Sequence, residues 1–76
     1  MSLEVKAKQI LKNFDETSSK DILEILNQIQ FKFHSQITQN YLKEKLVAIS
    51  EASDESQKKQ LCKNLIPYFD WYLQGL

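Results

Sequence analysis

Only one glycine, Gly75, and one proline, Pro67, occur among the 76 residues of this chain. A β-sheet protein of this length needs several tight turns, and such turns depend on glycine and proline for their backbone angles. The hydrophobic fraction of 42% is ordinary for a globular protein and argues against a disordered chain. The sequence therefore predicts a single all-α domain over residues 1–76.

Apolar residues recur at the spacing of one helical face in each part of the chain. The predicted stripes are Leu3, Ala7, Ile10, Leu11 and Phe14; Ile22, Ile25, Leu26, Ile29 and Phe33; Ile37, Tyr41, Leu42, Ile49 and Ala52; and Leu61, Leu65, Phe69, Tyr72 and Leu76. Short connections between such helices make neighbours antiparallel. The predicted fold is a small antiparallel bundle of three to four short helices.

Polar residues mark where these helices begin. Ser2 and Ser18 are placed to cap the first two helices, and Asp54 or Ser53 to cap the last. A break at 34–36 is predicted because a straight continuation of the second helix would carry Ile37 away from the apolar face.

The last segment keeps its helical phase across Pro67, which cannot donate a backbone hydrogen bond. We therefore expect either one helix kinked at Pro67 or two short helices in line, broken near that residue. Gly75 suits the position that ends the helix.

The charge balance argues against nucleic acid as a partner. Ten basic residues, all of them lysine, offset ten acidic ones for a formal net charge of zero. Arginine, which makes the commonest base-specific contacts, is absent. No apolar run approaches the roughly 20 residues that a membrane span requires.

The residues that usually carry chemistry are few. His34 has no neighbours that complete a triad or a zinc site, so it is predicted to be a polar residue at a helix end. Cys62 is predicted to pack in the core, although nearby lysines could activate a thiol. A lone cysteine also favours a reducing, cytoplasmic setting. We therefore predict no catalytic residue, cofactor or metal site, and no enzymatic activity.

Aromatic residues cluster near the C-terminus, where Tyr68, Phe69, Trp71 and Tyr72 lie within five residues. Trp71 projects away from the stripe that contains Phe69 and Tyr72, and Tyr68 lies between the two directions. Phe31 is similarly misplaced on the second helix. Phe31, Tyr68 and Trp71 are therefore the predicted partner-binding residues. The alternative, that the last helix is central and takes Trp71 into the core, is equally consistent with the pattern.

The function that these observations favour is a small, non-enzymatic protein-interaction module. Its partner would be either another protein or a second copy of the chain. In the second case, the chain would form a homo-oligomer through the C-terminal aromatic surface.

An inhibitor-type protein, such as an antitoxin or an immunity protein, is the alternative. The first helix contains Ala7-Lys8-Gln9-Ile10, and the second opens with Asp21-Ile22-Leu23-Glu24-Ile25-Leu26. In the order of these elements, the first 30 residues resemble bacteriocin immunity proteins of lactic acid bacteria. That resemblance implies an antiparallel four-helix bundle, and it does not extend clearly to the aromatic C-terminal segment.

Overall fold

The computed structural model describes residues 2–75, which form five α-helices and contain no strand. The helices are α1 (Leu3–Lys12), α2 (Ser19–Gln30), α3 (Gln36–Ser50), α4 (Glu55–Lys63) and α5 (Ile66–Leu73). A short 3₁₀ turn, Phe14–Glu16, lies between α1 and α2. The all-α prediction is confirmed, and the predicted three to four helices become five because the last predicted segment is divided in two.

Side-chain caps explain where four of the helices begin. Ser2, Ser18, Ser35 and Asp54 each accept a hydrogen bond from the backbone N–H three residues later, at 3.2, 3.3, 3.3 and 2.7 Å. Each bond satisfies an N–H that the first helical turn leaves without a partner. The capping roles predicted for Ser2, Ser18 and Asp54 are confirmed. A break between the second and third helices is found as predicted, but it covers 31–35 instead of 34–36, because α2 ends at Gln30 and α3 begins at Gln36.

Pro67 lies in the first turn of α5, where its missing N–H leaves no hydrogen bond unmade. The helix before it ends at Lys63, and Asn64 and Leu65 separate the two helices. A kink within one continuous helix is therefore not seen. Gly75 follows α5 with φ of +85°, the left-handed conformation that glycine adopts readily, and Leu76 lies outside the described residues.

The core forms around α2, which packs against each of the other four helices. Its predicted stripe is buried in full: Ile22, Ile25, Leu26, Ile29 and, just beyond the helix, Phe33. The fully buried Phe69 of α5 and Leu42 of α3 belong to the same cluster. Each buried side chain of this size contributes about 1.5–3 kcal/mol relative to an exposed one.

The predicted stripe of α3 is partly wrong. Leu42 and Ile49 are buried as expected, together with Leu46, but Ile37 is 81% exposed and Tyr41 is 54% exposed. Leu42, Leu46 and Ile49 follow the i, i+4, i+7 spacing of a core-facing stripe. At 100° per residue, Ile37 lies about 140° away from Leu42, on the solvent side of the helix.

Two polar side chains of α4 hold the connection between α1 and α2. The carboxylate of Glu55 accepts hydrogen bonds from the backbone N–H and the hydroxyl of Ser19, at 2.7 and 2.6 Å. The Lys59 ammonium donates to the carbonyl oxygens of Phe14 and Thr17. The two bonds from Ser19 hold the pKa of Glu55 below its ordinary value. An acid at the start of α2 is also favoured by the helix dipole.

Replacing Glu55 with Gln is expected to destabilise the domain at neutral pH, because the charged acceptor of two hydrogen bonds is lost. Because folding lowers the pKa of Glu55, its carboxylate stabilises the native protein fully above pH 4.5, the ordinary pKa of a glutamate. This stabilisation is lost as the pH falls through the lower pKa that Glu55 has in the folded state. Thermal unfolding at several pH values should show a gap between the two proteins that closes below about pH 4.5. Glu24→Gln, on the exposed side of α2, is the control and should show no comparable gap.

Replacing Leu26 with Ala is expected to reduce the free energy of unfolding by about 2–5 kcal/mol, because it opens a cavity in the core. Leu26 is fully buried on the central helix. Urea unfolding followed by circular dichroism measures the change. Leu23→Ala, which removes the same atoms from a half-buried position on the same helix, should cost clearly less. Equal losses would contradict the central position of this face of α2.

Candidate interaction surface

Large apolar side chains remain exposed on both α3 and α5. Val47 of α3 is one of them, but it lines a separate hollow with Lys43 and Glu44. Ile37 and Tyr41 lie one turn apart on α3, and Trp71 of α5 is 45% exposed. Exposed apolar side chains that occur singly are ordinary, whereas a group of them marks a surface that another molecule can cover. Ile37, Tyr41 and Trp71 are referred to below as the apolar surface.

Two apolar hollows lie between α3 and the α4–α5 segment. The Trp71 hollow has a volume of about 390 Å³ and is lined by Phe33, His34, Ser35, Thr38 and Trp71. The Leu65 hollow has a volume of about 130 Å³ and is lined by Lys45, Ala48, Ile49, Leu61, Asn64 and Leu65. Both are open to solvent. The Leu65 hollow takes a wall from α3, whereas the Trp71 hollow is lined mainly by residues 33–35 of the α2–α3 connection and has Thr38 as its α3 residue.

Tyr41, Lys45 and Tyr68 lie close together on α3 and α5, near the lining residues of the two hollows. The Lys45 ammonium lies 4.6 Å from the centre of the Tyr41 ring, a cation–π contact. Burial raises the pKa of Tyr68, the nearby Tyr41 adds to the rise, and the charge of Lys45 opposes it. All three side chains are thus close together. The two hollows and these side chains are referred to together below as the α3–α5 groove.

Trp71 is anchored to the core through Tyr68. Their ring centres are 5.1 Å apart at an interplanar angle of 76°, and Tyr68 packs edge-on against the buried Phe33 at 5.9 Å. Tyr68 itself is only 8% exposed. The two alternatives predicted for Trp71, core or surface, are both partly met, because one part of the ring packs inward while 45% of the residue is exposed.

The structure brings two of the three predicted partner-binding residues together. Tyr68 and Trp71 are in contact, with Tyr68 forming the floor beneath Trp71. Phe31 is 67% exposed at the end of α2, as its misplaced position indicated, but it lines neither hollow of the groove.

The sequence does not identify Ile37, Tyr41 or Lys45 as residues of this candidate interaction surface. Ile37 and Tyr41 were assigned to the core stripe of their helix, and Lys45 was not singled out. The signal that could have separated them is the regular spacing of Leu42 and Leu46, which places Ile37 and Tyr41 outside the buried face.

The other hollows and titratable groups do not form a comparable site. A hollow of about 550 Å³ between α1 and α2 is an open space lined largely by polar residues such as Lys6, Lys12 and Asp21. Every buried polar side-chain atom of residues 2–75 has a hydrogen-bond partner. The described part of the chain contains no cluster of three or more potential metal ligands. None of its helices has the length and apolar character needed to cross a membrane.

Cys62 lies on the buried side of α4, as predicted for a packing residue, and is 0% exposed. Burial raises the pKa of its thiol, the negative charge of Glu55 raises it further, and Lys59 acts in the opposite direction. The thiol is therefore protonated at neutral pH, and the activation by nearby lysines that the sequence left open is outweighed by burial.

Comparison with known proteins gave no match to a family model, to a curated protein or to a solved structure. The resemblance of the first 30 residues to bacteriocin immunity proteins thus stays a prediction that depends on those residues alone.

The thiol of Cys62 is expected to react slowly with an aromatic disulfide reagent in the native protein, because the reactive thiolate is both buried and disfavoured. The absorbance of the released thiol measures the rate, which should rise sharply in urea. The Leu26→Ala variant should react faster than the native chain, because its less stable fold opens more often and exposes the Cys62 thiol. A native rate equal to that in urea would show that the thiol is accessible.

Proposed function

We propose that this chain is a non-enzymatic protein-interaction domain that binds another protein chain through the α3–α5 groove. The observation that carries the proposal is that Trp71, which is 45% exposed, lines an apolar hollow, and that the exposed Tyr41 lies close to Tyr68, the residue in contact with Trp71. Covering these side chains would remove apolar area from water, at about 25 cal/mol for each Å².

The aromatic residues of the groove have the properties of interface hot spots. Tryptophan and tyrosine dominate binding energies because they offer a large contact area and few rotatable bonds. Trp71 is additionally held in place by its edge-to-face contact with Tyr68. A side chain that is already positioned loses little conformational freedom when a partner binds.

The composition of the groove favours protein over nucleic acid as the partner. Its walls are mainly apolar and contain a single lysine, Lys45. A nucleic-acid site requires several cations along the path of the phosphates. The groove instead offers aromatic and aliphatic contacts with one charge, as protein interfaces do.

Replacing Trp71 with Ala is expected to abolish association while the helical circular dichroism spectrum is retained, because much of the side chain is outside the core. Light scattering over a concentration series measures self-association. A pull-down with native and Trp71→Ala chains as bait compares binding to other proteins. Val5→Ala, which shortens an exposed apolar side chain on α1, is the control and should leave association unchanged.

Phe31→Ala in the same measurements decides whether Phe31 is a second contact. If neither self-association nor any captured partner depends on Trp71, the proposed function is wrong.

A further inference from the structure

We infer that the occupant of the α3–α5 groove is an amphipathic helix of a different protein, with an acidic side chain between two apolar anchors. This inference rests on the proposed function and specifies the chemistry of the partner. It follows from the shape of the groove, the spacing of its hollows and the charge of Lys45.

The absence of strands in residues 2–75 excludes one common mode of peptide binding for this part of the chain. An extended peptide binds by adding a strand to a sheet edge, and no such edge exists here. A groove between helices accepts the apolar face of another helix instead. One wall of this groove is α3, whose 15 residues extend over about 22 Å.

The two hollows are separated by a distance that matches a helical repeat. Thr38 lines the Trp71 hollow, and Lys45 and Ala48 line the Leu65 hollow. Along α3 these positions are about 10–15 Å apart at 1.5 Å per residue. Apolar residues at i and i+7 of a partner helix lie about 10 Å apart on one face, so that one can enter each hollow.

Lys45 brings a positive charge to the groove. It lines the Leu65 hollow, and its ammonium reaches the ring of Tyr41, whose position on α3 is between Thr38 of the Trp71 hollow and Lys45 itself. Within residues 2–75, Lys45 forms no ion pair. The neighbouring Glu44 lines a separate hollow with Lys43 on another side of α3. A Glu at i+3 or i+4 of the partner helix would lie between the two anchors and meet Lys45.

The same charge disfavours a second copy of this chain as the occupant. In a two-fold symmetric dimer that buries the groove against itself, each Lys45 is brought towards its counterpart near the axis. Like charges at that position oppose association. The apolar surface is also small, since three partly exposed side chains are fewer than the roughly 20–30 residues that each partner contributes to a standard interface.

The test uses synthetic helical peptides without tryptophan, so that the fluorescence of Trp71, the only tryptophan of the chain, reports on the groove. The peptides carry Leu or Phe at i and i+7 of an Ala/Gln-rich helix, with Glu at i+3 and i+4. A matched peptide has Lys in place of Glu, and another has its anchors at i and i+5. Titration of the native chain should show the tightest binding for the first peptide, binding about fivefold weaker for the Lys peptide, and no binding for the peptide with anchors at i and i+5.

Charge reversal in the protein tests the role of Lys45. Lys45→Glu is expected to weaken binding of the Glu peptide about fivefold, and to strengthen binding of the Lys peptide. Lys43→Glu makes the same change on another side of α3 and is the matched control, with binding unchanged. Circular dichroism confirms that both variants remain helical.

The outcomes separate this inference from the proposed function. Equal binding of the Glu and Lys peptides, or no binding of any i, i+7 peptide at about 1 mM, overturns the inference. A native homodimer that Trp71→Ala dissociates also overturns the inference, although that result supports the proposed function. Binding to the Trp71→Ala variant is followed by the fluorescence anisotropy of a dye-labelled peptide, since this variant has no tryptophan. Binding that is unaffected by Trp71→Ala overturns both.

Discussion

The burial of the apolar stripe of α2 is the interaction on which the other four helices depend. An isolated helix of 12 residues is marginal in water, so α2 is stabilised mainly by its neighbours. It contacts all four of them, and its fully buried residues, Ile22, Leu26 and Ile29, form the centre of the core. Since α3 and α5 each give one face to this core, aromatic side chains on their flanks remain outside it. The groove is a consequence of how the core is filled.

The polar contacts of α4 link the groove to the opposite part of the fold. This helix has one buried residue, Cys62, so apolar burial alone holds it weakly. Glu55 compensates by accepting hydrogen bonds from the start of α2, and Lys59 by donating to the first residue of the 3₁₀ turn and to Thr17 just after it. The position of α4 in turn places Leu61 against α3, where it forms one wall of the Leu65 hollow. A change at Glu55 would therefore alter both stability and the shape of the groove.

Local features of this fold could be predicted from the sequence, whereas the groove could not. The caps at Ser2, Ser18 and Asp54 depend on a few adjacent residues, and the stripe of α2 is long and regular. Two apolar stripes overlap on α3, so the sequence leaves its buried face ambiguous. The prediction that Ile37 and Tyr41 belong to that buried face is wrong. The groove joins positions such as 38 and 71, whose proximity depends on the packing of helices that are distant in sequence.

The rigidity of the groove and its charge have different consequences for binding. The edge-to-face contacts that connect Trp71 to the core through Tyr68 fix the ring before a partner arrives, which favours affinity by reducing the entropy lost on association. Lys45 adds little affinity at a partly exposed site, but it discriminates against partners with a basic residue at the same place. Under the proposed function, an otherwise apolar groove would accept many amphipathic helices, and the single lysine would be the feature that narrows the choice of partner.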